Sequence, residues 1–548
     1  MSNISQKKRA AMLAYLAELK QVHNDDETIR ALNEIEAALT EKKYGLVWEE
    51  HTEQVDEMLE DNIPVFIENE ARKIVADPDQ PFNFLIEGDN LHSLKLLAKT
   101  HKGKIDVIYI DPPYNTGNED FFYDDNFIVK EDGYRHSKWL SFMAKRLRIA
   151  RNLLSENGVL FISIDNNELA QLKLLCDEIF GESNFIQNFK WNKTSTPPSL
   201  SLKTREKYEY VLCYEKDRTN IKYNGGYTEG GDVPLLNSGN PVSKLKFKKE
   251  DVRFNISGIF KAGKYGKVEL LDDISIEDGK ADVDFSMLGE FKWTQNRVDE
   301  EVANGTYFLI KSRQFSIRFQ RKDKKIKSPS DVLSKTENGV ETNEQARKEL
   351  DALVPGNEMS YPKPVSLINY LIRFNENDRT NSVILDFFAG SGTTGQAVVS
   401  LNQEDGGNRK YILCTNNENN ICEEVTYKRL TNIQGELPHN LKYYKTDFIP
   451  KLSSEEDILS DRLLSHIKEM VELENMCEID DVSRFIFLRE DDLQAWYEQG
   501  VVEDVTIYIP SYILLSREVE NELEAKQVKV VHIPDYYFLN ELREANEL

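Results

Sequence analysis

The stretch "SVILDFFAGSGTTGQAVVSLN" (382–402) constrains the fold more than any other in the chain. A short apolar run ends at an acid, a glycine-rich turn follows, and apolar residues then recur at helical spacing. An apolar run without polar alternation predicts a strand buried on both faces, and such strands belong to parallel sheets covered by helices. The same alternation returns elsewhere. "FNFLIEGDN", "IDVIYIDPPY", "VLFISID" and "RKYILCTNN" read as strands. "LHSLKLLAKTHKG", "WLSFMAKRLRIARNLL", "ELAQLKLLCDEIFG" and "VSLINYLIRF" read as helices, the first and third closed by Gly103 and Gly181. Trp139, Phe142, Met143, Leu147 and Leu153 form one apolar stripe that predicts packing against the sheet. The expectation is an α/β fold with a mostly parallel sheet and helices on both faces.

The rhythm breaks between about 216 and 350, where Gly, Asn, Lys and Asp are frequent and only short strands such as "KVELLDDISI" and "TYFLIKS" can be read. The simplest organisation is one α/β domain in two parts, 76–215 and 351–440, with residues 216–350 inserted between them. Residues 1–75 read as a helical segment, from patterns such as "AAMLAYLAELK" and "TIRALNEIEAAL". Residues 441–548 form an acidic C-terminal segment. A chain of 548 residues has room for roughly three domains of about 150 residues.

Charge is unevenly spread over a net of −26, which argues against indiscriminate nucleic-acid binding. Residues 451–548 hold 24 acids against 9 bases, a net of −15, whereas 216–350 hold 25 bases against 22 acids, a net of +3. Within the latter, "KSRQFSIRFQRKDKKIK" (311–327) has eight bases and one acid, interleaved with Phe315, Ile317 and Phe319. This pattern fits a basic β-ribbon that meets a phosphate backbone, or equally a solvated edge strand guarded by lysines. Five scattered cysteines without C-x-x-C spacing and eight histidines without ligand spacing argue against disulfides and zinc. The amphipathic N-terminus is not read as a signal peptide, no apolar run is long enough for a membrane span, and a cytoplasmic location is expected.

In "ILDFFAGSGTTGQAV", Gly390, Gly392 and Gly395 permit a tight turn and close approach of backbone to a ligand at a helix N-terminus. The lysine of a phosphate-binding P-loop is absent here and throughout the chain. A second motif lies in "VIYIDPPYNTG" (107–117), where an apolar strand stops at Asp111, followed by Pro112, Pro113, Tyr114 and Asn115.

Together, F-x-G-x-G (Phe388, Gly390, Gly392) and D-P-P-Y (Asp111–Tyr114) resemble S-adenosylmethionine-dependent amino-methyltransferases that act on DNA. The catalytic motif comes first, then a long insertion, then the cofactor motif. That order resembles the β class, whose insertion is the target-recognition domain. "DPPYNTG", "YRHSKWLSFMAKRLRIARNLLSENGVLFISID", "YPKPVSLINYLI" and "DFFAGSGTTGQAV" together resemble the Mod subunits of type III restriction–modification systems, over roughly 80–215 and 355–430.

The resemblance implies a Rossmann-like methyltransferase domain, S-adenosylmethionine as cofactor, adenine N6 in double-stranded DNA as target, a homodimer, and a separate helicase–nuclease (Res) partner in a bacterial or archaeal cytoplasm. A solitary adenine-N6 or cytosine-N4 enzyme, or a non-catalytic DNA-binding subunit on this fold, is the alternative. For the cofactor it implies contacts from Phe388, Ala389, Gly390 and Gly392, with Asp386 at the strand end, Asp89 near the adenine and Lys363 at the methionine end. Glu418 is the candidate for the ribose hydroxyls, in competition with Asn416 and Asn417. In the catalytic motif, the Asp111 carboxylate and the Pro112 carbonyl suit the two N–H groups of an amine. Pro112 and Pro113 remove backbone donors, and Tyr114 offers a face to an extruded base. Candidates for DNA contact are Asn115, Lys203, Arg205, Arg313, Arg318, Arg321, Lys322, Lys324 and Lys325. His136 and Lys138 are expected in structural or phosphate-binding roles.

Overall fold

The computed structural model describes residues 4–22, 25–40, 48, 51–117, 122–123, 126–127, 132–196, 203–228, 232–321, 325–374, 379–451, 459–534, 537–539 and 543. Its centre is a ten-stranded sheet. In chain order the strands are β1 (Asn62–Glu68), β2 (Phe82–Glu87), β3 (Ile105–Ile110), β4 (Leu154–Ile164), β5 (Phe185–Asn192), β6 (Tyr208–Glu215), β7 (Val332–Leu333), β8 (Val383–Asp386), β9 (Lys410–Thr415) and β10 (Asn440–Pro450). They lie side by side as β1-β10-β2-β9-β8-β3-β4-β6-β5-β7. Only β1 and β6 run against their neighbours.

Period-two alternation divides the core into two layers. In β3, Ile108 and Ile110 enter one apolar cluster with α1 (Asn90–Thr100), α2 (Arg135–Leu153) and α3 (Leu169–Phe180). Val107 and Tyr109 enter the other with α4 (Val365–Ile372) and α5 (Thr393–Asp405). Each fully buried Leu, Ile or Phe contributes about 1.5–3 kcal/mol, so both faces of the strand stabilise the sheet. β8 continues through α5 to β9 on one side, while β3 continues through α2 to β4 on the other. The carboxyl ends of β8 and β3 therefore flank a topological switch point, where open α/β sheets bind ligands.

The termini depart from expectation. Residues 62–68, inside the segment read as helical, form β1, which pairs antiparallel with β10 in the register Pro64↔Phe448. Pro64 is tolerated because β1 is the outermost strand. Likewise β10 carries the sheet past the expected boundary at 440. Beyond it, Ile467–Asn475 packs on the central core, and a small parallel sheet (Arg484–Ile486, Thr506–Pro510, Lys529–Ile533) has its own apolar cluster.

The insertion has a separate core from Leu235 to Phe319. It returns to the central sheet earlier than residue 350, because Val332↔Lys190 and Leu333↔Trp191 already pair β7 with β5. Strand Ile317–Gln320 of the basic stretch lies between two partners rather than at an edge, with Phe315, Ile317 and Phe319 buried. No helix among the described residues is long and apolar enough to cross a membrane.

Trp139 of α2 is fully buried and its indole N–H donates to the Pro113 carbonyl at 2.7 Å. Trp139→Phe keeps most of the packing but leaves that carbonyl unpaired. A loss of about 1–2 kcal/mol in urea unfolding is expected, and an unchanged midpoint would refute the anchoring role.

Candidate active site

The D-P-P-Y turn begins where β3 leaves the sheet. Asp111 Oδ2 accepts from Lys363 Nζ at 2.8 Å and Oδ1 from the Tyr114 hydroxyl at 2.9 Å. With the Pro113 carbonyl held by Trp139 and neither proline owning an N–H, the two proline positions contribute carbonyl acceptors and no backbone donors. Asn115 closes it in the left-handed region (φ 57), a conformation asparagine tolerates better than most residues. It is fully buried, and its amide donates to the Arg135 carbonyl at 3.2 Å and to Glu168 Oε1. Asn115 thus braces the turn from behind.

Glu168 also meets His136 Nδ1 at 2.6 Å, so His136 has a structural partner, as Lys138 has in Asp132 at 2.8 Å. Burial pushes Glu168 up to about 8. A raised acid stabilises the fold below its unfolded pKa of about 4.3 and loses that contribution as pH rises towards 8. Glu168→Gln cannot titrate. Between pH 4.5 and 8 it should gain roughly 2–3 kcal/mol relative to the unsubstituted protein. Parallel pH–stability curves for the two proteins would rule this out.

The glycine turn follows β8. Asp386 is 2% exposed and serves inward, accepting from the Phe388 N–H at 3.0 Å and the Thr394 hydroxyl at 2.5 Å, and burial pushes it up to about 7. It braces the turn. Ala389 N donates to the Cys414 carbonyl at 3.1 Å, fixing the turn to β9. Gly390 (φ 49) and Gly392 (φ 75) are left-handed, and a Cβ on Gly392 would stand 3.0 Å from Thr426 Cγ2. Gly395 lets α5 close on β9 and the helix Lys428–Asn432, since a Cβ there would meet Leu413 at 3.1 Å and Leu430 at 2.8 Å. Arg429, buried and pushed down to about 10 by that burial, donates to the Ser391 hydroxyl at 3.1 Å and to the Thr393 hydroxyl at 2.8 Å.

Lys363 joins the two motifs. It is 7% exposed, its carbonyl accepts from the Thr393 hydroxyl at 3.1 Å, and its ammonium reaches Asp111. Burial alone would lower its pKa, but Asp111 and then Glu209 outweigh that and raise it, so the ammonium stays charged. On Asp111, burial raises the pKa and Lys363 works against it. A cleft of about 1960 Å³ opens over the turn, lined by Asp111–Tyr114, Lys193, Glu209, Met359, Lys363 and Glu418. Burial first, and then the charge of Asp89, raises Glu418. Asp89 itself caps α1 through the Leu91 N–H at 2.7 Å. Phe388 is half-buried against Phe142 and Phe387.

The DNA methylase family (N6_N4_Mtase) matches residues 105–427, more than half of the chain, and the match takes in both motifs and Lys363. The chain belongs to the DNA methylase family. It is 30% identical over 406 residues to the type III restriction-modification enzyme StyLTI Mod subunit of Salmonella typhimurium, covering 69% of this chain and 59% of that one. To the EcoPI Mod subunit of Escherichia phage P1 it is 32% identical over 382 residues, covering 61% and 58%. To the type II methyltransferase M.KpnI of Klebsiella pneumoniae it is 30% identical over 415 residues, covering 69% and 93%. The methylase thus spans under three-fifths of the length of these Mod subunits.

Among the candidates for DNA contact, Lys203 and Arg205 are exposed ahead of β6, and Arg313 is exposed with its guanidinium 6.0 Å from the Phe260 ring centre. Arg318 donates to the carboxylate of Asp232 and, at 2.7 Å, to its carbonyl. Arg321 pairs with Glu301 at 2.6 Å and holds that carboxyl down at about 2. These two guanidiniums serve the insertion's own fold. Lys322, Lys324 and the Lys325 side chain lie outside the described residues. Sequence reading also missed Glu209, Lys193 and Arg429. The one available signal was an acid at position 209 in "YEYVLCY", next to a buried apolar run.

Proposed function

We propose that this methylase transfers a methyl group from S-adenosylmethionine to adenine N6 in a specific site of double-stranded DNA, as the modification and recognition subunit of a type III restriction–modification system. The observation that carries the reading is the Lys363 bridge. Its ammonium holds Asp111 on the cleft and its carbonyl accepts from Thr393 just after the glycine turn, so it ties together two motifs from distant segments near the switch point of the sheet. The relatives described as Mod subunits of type III restriction-modification enzymes support the system assigned. We extend that reading to a homodimer with a separate helicase–nuclease partner in the cytoplasm.

The residues present fit the cofactor. Gly390 and Gly392 adopt the left-handed backbone the turn requires, Phe388 adds a half-buried ring, and Glu418 on the cleft is a carboxylate suited to ribose hydroxyls. When bound, the cofactor supplies an electrophilic methyl group. The chain does the rest by alignment. Asp111 and the Pro112 carbonyl accept the two N–H groups of the target amine, which turns its lone pair out of conjugation. Tyr114 supports the base once it has left the duplex. Asp111, which accepts one N–H of the amine, serves as acceptor for the proton released after transfer.

Methylation-sensitive sequencing of DNA from cells with and without the intact gene tests this. One recurrent asymmetric site carrying N6-methyladenine is expected, and its loss with Asp111→Ala. The absence of any modified base would refute the reading, and N4-methylcytosine would refute its adenine target.

A further inference from the structure

Both oxygens of Asp111 are engaged within the protein, one by Lys363 and one by the Tyr114 hydroxyl. The Lys363 ammonium also lies 5.1 Å from the centre of the Tyr114 ring and 5.7 Å from that of Trp191. A target amine that approaches Asp111 therefore meets a carboxylate already shared by both groups. Yielding is costly for Lys363, because an almost fully buried ammonium cannot be left without an acid.

A second acid stands beside the first. Glu209 is 6% exposed, lines the same cleft, and its Oε2 lies 3.7 Å from Lys363 Nζ and 3.2 Å from the Tyr114 hydroxyl. Its other oxygen is held by Lys193 at 3.0 Å, so it does not follow Lys363 or Tyr114 when they move. Its contact with Lys363 is the longer of the lysine's two ion pairs, which leaves room for that contact to shorten.

We propose that Glu209 is a positioning residue of the transfer: it takes over Lys363 and the Tyr114 hydroxyl when the target amine claims Asp111. The exchange then moves two hydrogen bonds by a small distance and leaves no buried charge alone. Lys193 keeps the second acid in place. The inference rests on the amine-methylation reading above.

The test uses the full chain with S-adenosylmethionine and a duplex carrying 2-aminopurine at the adenine identified by sequencing. Extrusion of that base raises its fluorescence. Glu209→Gln should lower both the extrusion signal and kcat on the unmodified duplex by roughly tenfold or more, while KM for the cofactor stays within about twofold. Glu209→Asp should recover part of the loss. The decisive comparison is Glu209→Gln in a Lys363→Met background. With no ammonium to rehouse, it should change extrusion far less than in the parent, and this comparison stands even where the single variant folds poorly. Equal losses in both backgrounds, or parent-like extrusion and kcat for Glu209→Gln, would overturn the role. Absence of methyl transfer by the unsubstituted protein would overturn the underlying reading instead, whatever Glu209 does.

Discussion

Asp111→Ala is expected to lower methyl transfer by at least about 10²–10³-fold, the scale on which removal of one well-placed hydrogen-bonding group in an active site acts. The effect should fall on kcat. In the proposed transfer Asp111 aligns the amine, whereas the glycine turn is built from β8, α5 and the Cys414 carbonyl without it. Cofactor affinity, measured by calorimetry, should therefore stay within about tenfold, a margin allowed because Lys363 loses its nearest acid. Asp111→Asn separates charge from shape. It retains an acceptor for the Tyr114 hydroxyl but presents an amide where Lys363 needs an anion, so it should be nearly as inactive and more stable than Asp111→Ala. Transfer within tenfold of the unsubstituted rate by either variant would remove Asp111 from the mechanism.

Both motifs of the site were legible because each is local. A buried strand ending in Asp-Pro-Pro-Tyr and another ending in a glycine turn carry their chemistry within a few residues. The parallel sheet was legible for the same reason, since its inner strands are continuous apolar runs. What escaped was long-range pairing. Lys363 and Asp111 are 252 residues apart and Tyr114 and Glu209 are 95 apart, and nothing near either acid announces the partner. β1 escaped because "NIPVFIE" contains a proline and makes sense only as an edge strand once β10 lies beside it. The basic stretch 311–327 shows the opposite error. Its charge was countable, but Asp232, 86 residues from Arg318, and Glu301, 20 residues from Arg321, spend two of those charges inside the fold.

The same logic makes the C-terminal attachment sensitive to one lysine. Lys442 of β10 is 1% exposed and lies 2.8 Å from both Glu68 of β1 and Glu472 of the helix Ile467–Asn475, with the Tyr444 hydroxyl on Glu472 at 2.6 Å. Glu472 and Glu68 together outweigh burial and keep the ammonium charged. Lys442→Met would leave two acids facing each other in the core. Removal of one partner from such a cluster costs about 3–5 kcal/mol, read as a lower urea midpoint. The pH dependence has a definite sign. Burial raises Glu68 and Lys442 works against it, so loss of the lysine lifts that carboxyl further above its unfolded value, and the variant's deficit should grow as pH rises from about 4.5 and shrink in acid. Adding Glu68→Gln and Glu472→Gln removes the stranded charges and should recover much of the loss, because a buried ion cluster stabilises a fold less than its breakage destabilises it. A loss below about 1 kcal/mol for Lys442→Met at pH 8 would show that the strand and the helix are held by apolar packing alone.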